Sequence, residues 1–105
     1  MEKFEQIREK MTLQHQEVAP GKMMSSEAIC YRKKVFAFYH LGKMTFRLGK
    51  DFDLTKYGIA TFDYLSPFRN KPPMMGWYMI GPEYKDQWLL LANEALLRLQ
   101  KEVDA

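Results

Sequence analysis

Cysteine is all but missing from this chain. Cys30 stands alone among 105 residues, which excludes an intrachain disulfide and any cysteine-based zinc cluster. Histidine is nearly as scarce, with His15 and His40 alone. No apolar run approaches the roughly 20 residues needed to span a bilayer. The start, MEKFEQIREK, is charged from its second residue and lacks the apolar run of a signal peptide. A cytoplasmic protein that does not enter a membrane is therefore expected. The six glycines fall singly at turns, with no phosphate-loop spacing. Acid is almost absent from residues 21–50, where Glu27 is the only carboxylate against Lys22, Arg32, Lys33, Lys34, Lys43, Arg47 and Lys50.

What is present suits one globular domain over residues 1–105. The hydrophobic fraction of 47% and charged fraction of 28% are ordinary for a folded protein, and the length suffices for a single core. Aromatic residues make up 14%, enough for a core of large rings or for an aromatic surface that meets a partner. The net charge of +3 is milder than a dedicated DNA-binding domain usually carries.

Residues 2–16 lack Gly and Pro and place Phe4, Ile7 and Met11 at helical spacing, predicting a surface helix with one narrow apolar stripe. Ala19-Pro20-Gly21 breaks it. Three antiparallel strands are expected next. The first ends in Ile29-Cys30-Tyr31, Arg32-Lys33-Lys34 forms a polar turn, and residues 35–40 are apolar on both faces, as a central strand would be. After Leu41-Gly42, the third alternates: Met44, Phe46 and Leu48 face the core, while Lys43, Thr45 and Arg47 face solvent or a partner. Asp51 and Asp53 precede a short helix closed by Gly58. A strand around Phe62 and Tyr64 ends before Pro67, and Arg69-Asn70-Lys71-Pro72-Pro73 is a stiff loop. Residues 76–80 form the last strand. In the closing helix Trp88, Leu91, Ala92, Ala95, Leu96, Leu99 and Val103 share one apolar face, broadened by Leu89, Leu90 and Leu97. The order α-β-β-β-α-β-β-α predicts an α+β two-layer sandwich, a five-stranded antiparallel sheet with helices on one face.

Chemistry is hard to find in this pattern. Cys30 and His40 would be the nucleophile and base of any covalent mechanism, but the expected hairpin register carries His40 well past the position opposite Cys30. Asp51 and Asp53 suit helix capping better than metal binding, and His15 has no second ligand at helical spacing. The many methionines, Met23, Met24, Met44, Met74, Met75 and Met79, suit an adaptable binding surface. No enzyme, metal or cofactor is expected. Arg32, Lys33, Lys34, Lys43 and Arg47, interleaved with aromatic residues, are the candidates for a nucleic-acid-binding sheet face.

Lys22-Met23-Met24-Ser25-Ser26, CYRKKVFAFY, a Gly-containing turn, TFRLGK, SPF, PMMGWYMI followed by Gly-Pro, and a Leu/Ala-rich terminal helix follow one order. In that order the chain from Lys22 onward resembles the TfoX N-terminal domain family, named from bacterial regulators of competence. It departs at Met24-Ser25-Ser26, where the family usually has Phe-Gly-Gly. The resemblance implies a secretion-chaperone-like antiparallel sheet with helices on one side. It also implies a bacterial, non-enzymatic interaction or regulatory module, whose partner is another protein or a second copy in a homodimer. A weaker resemblance, to the YjbR/MmcQ-like group, implies nucleic-acid binding instead.

Overall fold

The computed structural model describes residues 2–66 and 72–104. Helix α1 (Glu2–Gln14) leads into four strands, β1 (Val18–Met23), β2 (Ser26–Tyr31), β3 (Lys34–His40) and β4 (Lys43–Arg47). A single 3-10 turn over Leu54–Tyr57 separates them from β5 (Asp63–Leu65) and β6 (Met74–Ile80). A second 3-10 turn, Pro82–Tyr84, opens into helix α2 (Lys85–Val103). The six strands form one antiparallel sheet in the order β1-β2-β3-β4-β6-β5. The α+β architecture expected from the sequence is observed. Among the described residues no helix is long and apolar enough to cross a membrane.

The expected five strands are six. The first helix ends before Ala19-Pro20-Gly21 as expected, but these residues lie inside an additional strand, β1. Proline is tolerated there because β1 is an edge strand. Counting back from the turn, Met23 pairs with Ser26, Gly21 with Ala28 and Pro20 with Ile29. Hydrogen-bonded pairs alternate from the turn outward, so Pro20 falls at a position whose nitrogen faces away from β2.

Three two-residue turns join β1 to β4. Met24-Ser25 (φ 48° and 75°), Arg32-Lys33 (48° and 70°) and Leu41-Gly42 (53° and 78°) all have positive φ at both central residues. That is the type I′ form, whose twist matches the strands it joins. Five of these six residues are not glycine, so each turn holds conformations that side chains disfavour. Tight pairing on both sides sustains them.

Both helices cover one face. Phe4, Ile7 and Met11 of α1 and Trp88, Leu91, Ala92, Ala95, Leu96 and Leu99 of α2 join Val18, Ile29, Phe36, Met44, Phe46, Tyr78 and Ile80 of the sheet in one core. Burying a large apolar side chain contributes roughly 1.5–3 kcal/mol, so α2 and its strands supply much of the driving force. The Trp88 indole also donates to the Ile80 carbonyl at 3.2 Å, fixing α2 on β6. Leu90 and Leu97, expected on the apolar face, are instead about half exposed, at 46% and 45%.

The opposite face is not the polar surface expected from β4. Thr45 is fully buried, beside a second apolar cluster of Ala28, Phe38 and Leu65 with Met23, Val35, Trp77 and Met79 packed against it. A bulge in β3 supplies both faces of this central strand. Ile29 pairs with Ala37 and Cys30 with Val35, leaving Phe36 as the extra residue. Phe36 and Ala37 enter the helix-side core, while Val35 and Phe38 enter the second cluster.

The short helix expected after β4 is the 3-10 turn. Asp53 caps it by accepting from the Thr55 amide at 3.0 Å, and Gly58 closes it at φ 74°. The Thr55 hydroxyl holds the Asp53 carboxyl below its ordinary range. The expected chain path through Pro67-Phe68 and Arg69-Asn70-Lys71 lies outside the described residues.

Candidate ligand-binding cleft

The five basic residues expected on one sheet face, Arg32, Lys33, Lys34, Lys43 and Arg47, are dispersed in the structure. Arg32, at a turn, is paired with Glu17 and, at 2.6 Å, with Asp104 beyond α2. Lys43, at the far end of β4, pairs with Asp63 of β5 at 2.8 Å. Arg47 holds Glu102 of α2 in a two-pronged pair at 2.7 and 3.0 Å. Lys33 and Lys34 are exposed and make no ion pair among the described residues, although the Lys34 charge helps to keep the Glu102 carboxyl below its ordinary range. The chief cause of that lowering is the Arg47 hydrogen bond. Only Lys34 and Arg47 come together, at one end of the sheet.

Cys30 and His40 stay apart. Cys30 is buried opposite Val35, its sulfur tucked under Gly21, and burial pushes its thiol pKa up, away from the reactive thiolate. His40 lies opposite Lys43 beside a turn, with Nδ1 3.1 Å from the Ser26 hydroxyl. The described residues contain no group of three or more His, Cys, Asp or Glu arranged to hold a metal.

A concave site does exist, at the end of the sheet where Arg47 lies. It is built from the bottom by a break in β6. The partner of Tyr64 is Tyr78, but that of Leu65 is Met74, so β6 bulges through Met75, Gly76 and Trp77. Gly76 takes φ 99°, a conformation that glycine alone adopts easily, and its carbonyl accepts from the amides of Leu48 (2.9 Å) and Gly49 (3.1 Å). Gly49, at φ 94°, follows β4 and faces Gly76. The buried Tyr78 hydroxyl donates to the Gly49 carbonyl at 2.7 Å and lies 3.2 Å from that of Lys50. Two glycines, held from beneath by a tyrosine, thus make a floor without side chains.

Helix α2 supplies the wall. Glu94, Leu97, Arg98, Lys101 and Glu102 recur three or four residues apart, so they share one face of the helix above that floor. With Arg47, Lys50, Met75 and Trp77 they enclose about 510 Å³. Arg98 stands over the Phe52 ring, 4.9 Å from its centre, and Phe52 is itself stacked on Tyr57 at 5.3 Å. A second hollow of about 590 Å³ adjoins the first and shares Arg47, Trp77 and Glu102 with it. The Arg47–Glu102 pair is the partition between them.

This chain matches no family model, no curated protein and no solved structure. Around the cleft, Lys50, Arg98 and Lys101 are exposed cations without an ion pair among the described residues. Met75 and Leu97 place exposed apolar surface beside them, at 51% and 45%. Sequence reasoning missed most of this group. Gly49 and Gly76 passed for ordinary turn glycines, and Leu97 for part of the core. The helical spacing from Glu94 to Glu102 was the available signal.

Proposed function

We propose that this protein is a non-enzymatic interaction module, of the kind its resemblance to the TfoX N-terminal domain implies, and that it meets its partner at the cleft between the β6 bulge and α2. One observation carries the reading: apolar side chains and unpaired cations stand exposed together around a preformed hollow. Exposed apolar groups beside charge are the usual make-up of a protein contact surface. The nucleic-acid alternative draws less support, because Arg32, Lys43 and Arg47 already face carboxylates.

The test is a photo-crosslinking residue at position 97, with position 13 as control. Leu13 is more exposed, at 80%, but lies on α1 away from the cleft. In lysate of the source cell, a discrete protein adduct is expected at 97 and not at 13. No protein adduct at 97, or equal adducts at both, would overturn the proposal. Light scattering then separates the two kinds of partner: a dimer abolished by Leu97→Glu makes the partner a second copy.

A further inference from the structure

We infer that the partner segment this cleft accepts is an acidic peptide carrying an apolar anchor. The inference rests on the interaction reading above and adds the chemistry of the occupant. Arg47 and Glu102 satisfy each other, which leaves, among the described residues, Lys50, Arg98 and Lys101 against the single carboxylate of Glu94. The cleft therefore carries an excess of positive charge, which favours a negatively charged occupant.

Geometry narrows the choice to carboxylates on a peptide. The Phe52 ring under Arg98 holds its guanidinium across the glycine floor, with Nη1 3.8 Å from where a Gly49 side chain would begin. A planar fork so held matches a carboxylate bidentately. Gly49 is exposed and carries no side chain, so beside the Arg98 guanidinium its backbone is open to a peptide, while Gly76 is buried behind it. Met75 and Leu97 then offer apolar surface to a neighbouring side chain. A nucleic-acid strand fits less well. Among the described residues Trp77 is the one aromatic ring lining the cleft, and it packs on Phe38 at 5.8 Å, while Glu94 would oppose a continuous run of phosphates.

Fluorescence anisotropy on the full chain tests this with short fluorescein-labelled probes: alternating Glu-Leu, Lys-Leu and Glu-Ser peptides, and an oligothymidylate. The Glu-Leu peptide is expected to bind saturably and more tightly than the other three. Arg98→Glu combined with Lys101→Glu should weaken it about tenfold or more, as loss and reversal of close charge contacts does. Lys101→Glu alone, on an exposed side chain, should weaken it less and guards against a folding defect in the double variant. Equal binding of the Lys-Leu or Glu-Ser peptide, tighter binding of the oligothymidylate, or no response to either variant would overturn the inference. The two proposals fail separately. A protein adduct at position 97 that persists in the double charge variant removes the acidic occupant and leaves the interaction module standing. Loss of any adduct in the parent chain removes both.

Discussion

Strands β1 to β4 each pair with their neighbour in sequence across a two-residue turn, whereas β6 pairs with β4 from beyond β5 and the long segment around it. The first region is almost regular, and it departs from regularity in strained turns at its exposed rims and in the Phe36 bulge inside the core. In the second region the departures lie at the surface. The β6 bulge opens the cleft, and loops are pinned by tyrosine hydroxyls, Tyr78 on the Gly49 and Lys50 carbonyls and Tyr84 accepting from the Ala60 and Thr61 amides at 3.1 and 3.2 Å. The comparison separates scaffold from site. Local hairpins supply the frame, and the cleft forms where β6 slips its register against β5.

Four substitutions or conditions test that division, beginning with the largest effect. Phe36→Ala should cost about 3–5 kcal/mol, since it empties a fully buried position where the β3 bulge turns inward. Urea titration is expected to show the whole domain unfolding at lower denaturant as one transition. A transition that split in two would mean that the two regions are independent, contrary to the shared core. Gly76→Ala should cost about 1–2 kcal/mol, through the disfavoured positive φ and not through crowding, because its nearest new contacts are an ordinary 3.5 Å. Hydrogen exchange should quicken at Leu48 and Gly49, whose amides bond to Gly76, before it does in β2. Uniform quickening would dissolve the distinction.

Met24→Asn with Ser25→Gly acts in the opposite direction. Both positions hold positive φ, so the pair should gain roughly 1 kcal/mol by relieving strain in the first turn. A lowered thermal midpoint would show that this turn is not strained as described. The smallest effect is that of acid. Arg47 depresses the Glu102 carboxyl, and Lys22 with Arg8 depresses that of Glu27. A carboxylate with a depressed folded pKa stabilises the fold above its unfolded value, near 4.5. That contribution is lost as pH falls through the lower folded value. Melting curves should therefore be flat near neutrality and decline below about pH 4.5. Glu102→Gln and Glu27→Gln should each blunt the decline slightly, because both pairs are solvated and screened by salt. An unchanged acid profile in both variants would remove these pairs from the stability of either region.

The legible part of the fold is the part written locally. Phe4, Ile7 and Met11 marked α1, the alternation of Met44, Phe46 and Leu48 marked the core side of β4, and Asp53 with Gly58 marked the 3-10 turn, and all lie where those patterns place them. Met24-Ser25 was not legible as a turn. Neither residue is a usual type I′ former, and the pairing on both sides imposes the conformation. Pro20 hid β1 for a related reason, since whether proline breaks a strand depends on which edge faces solvent. Thr45 looked like surface because alternation says which residues share a face but not whether that face is covered. Its buried hydroxyl has no hydrogen-bond partner among the described residues. The candidate cleft was the least legible of all. It needs β6 beside β4 and α2 above both, and no local window contains all three.

Pro20 has a consequence for how copies of this protein behave in a crowded solution. An open sheet edge is a template on which another strand can polymerise. On β1 the outward positions near its middle belong to Pro20, which has no amide proton to offer, and to Lys22, a solvated cation. The other edge, β5, is only three residues long. Both margins are poor seeds for fibrillar stacking.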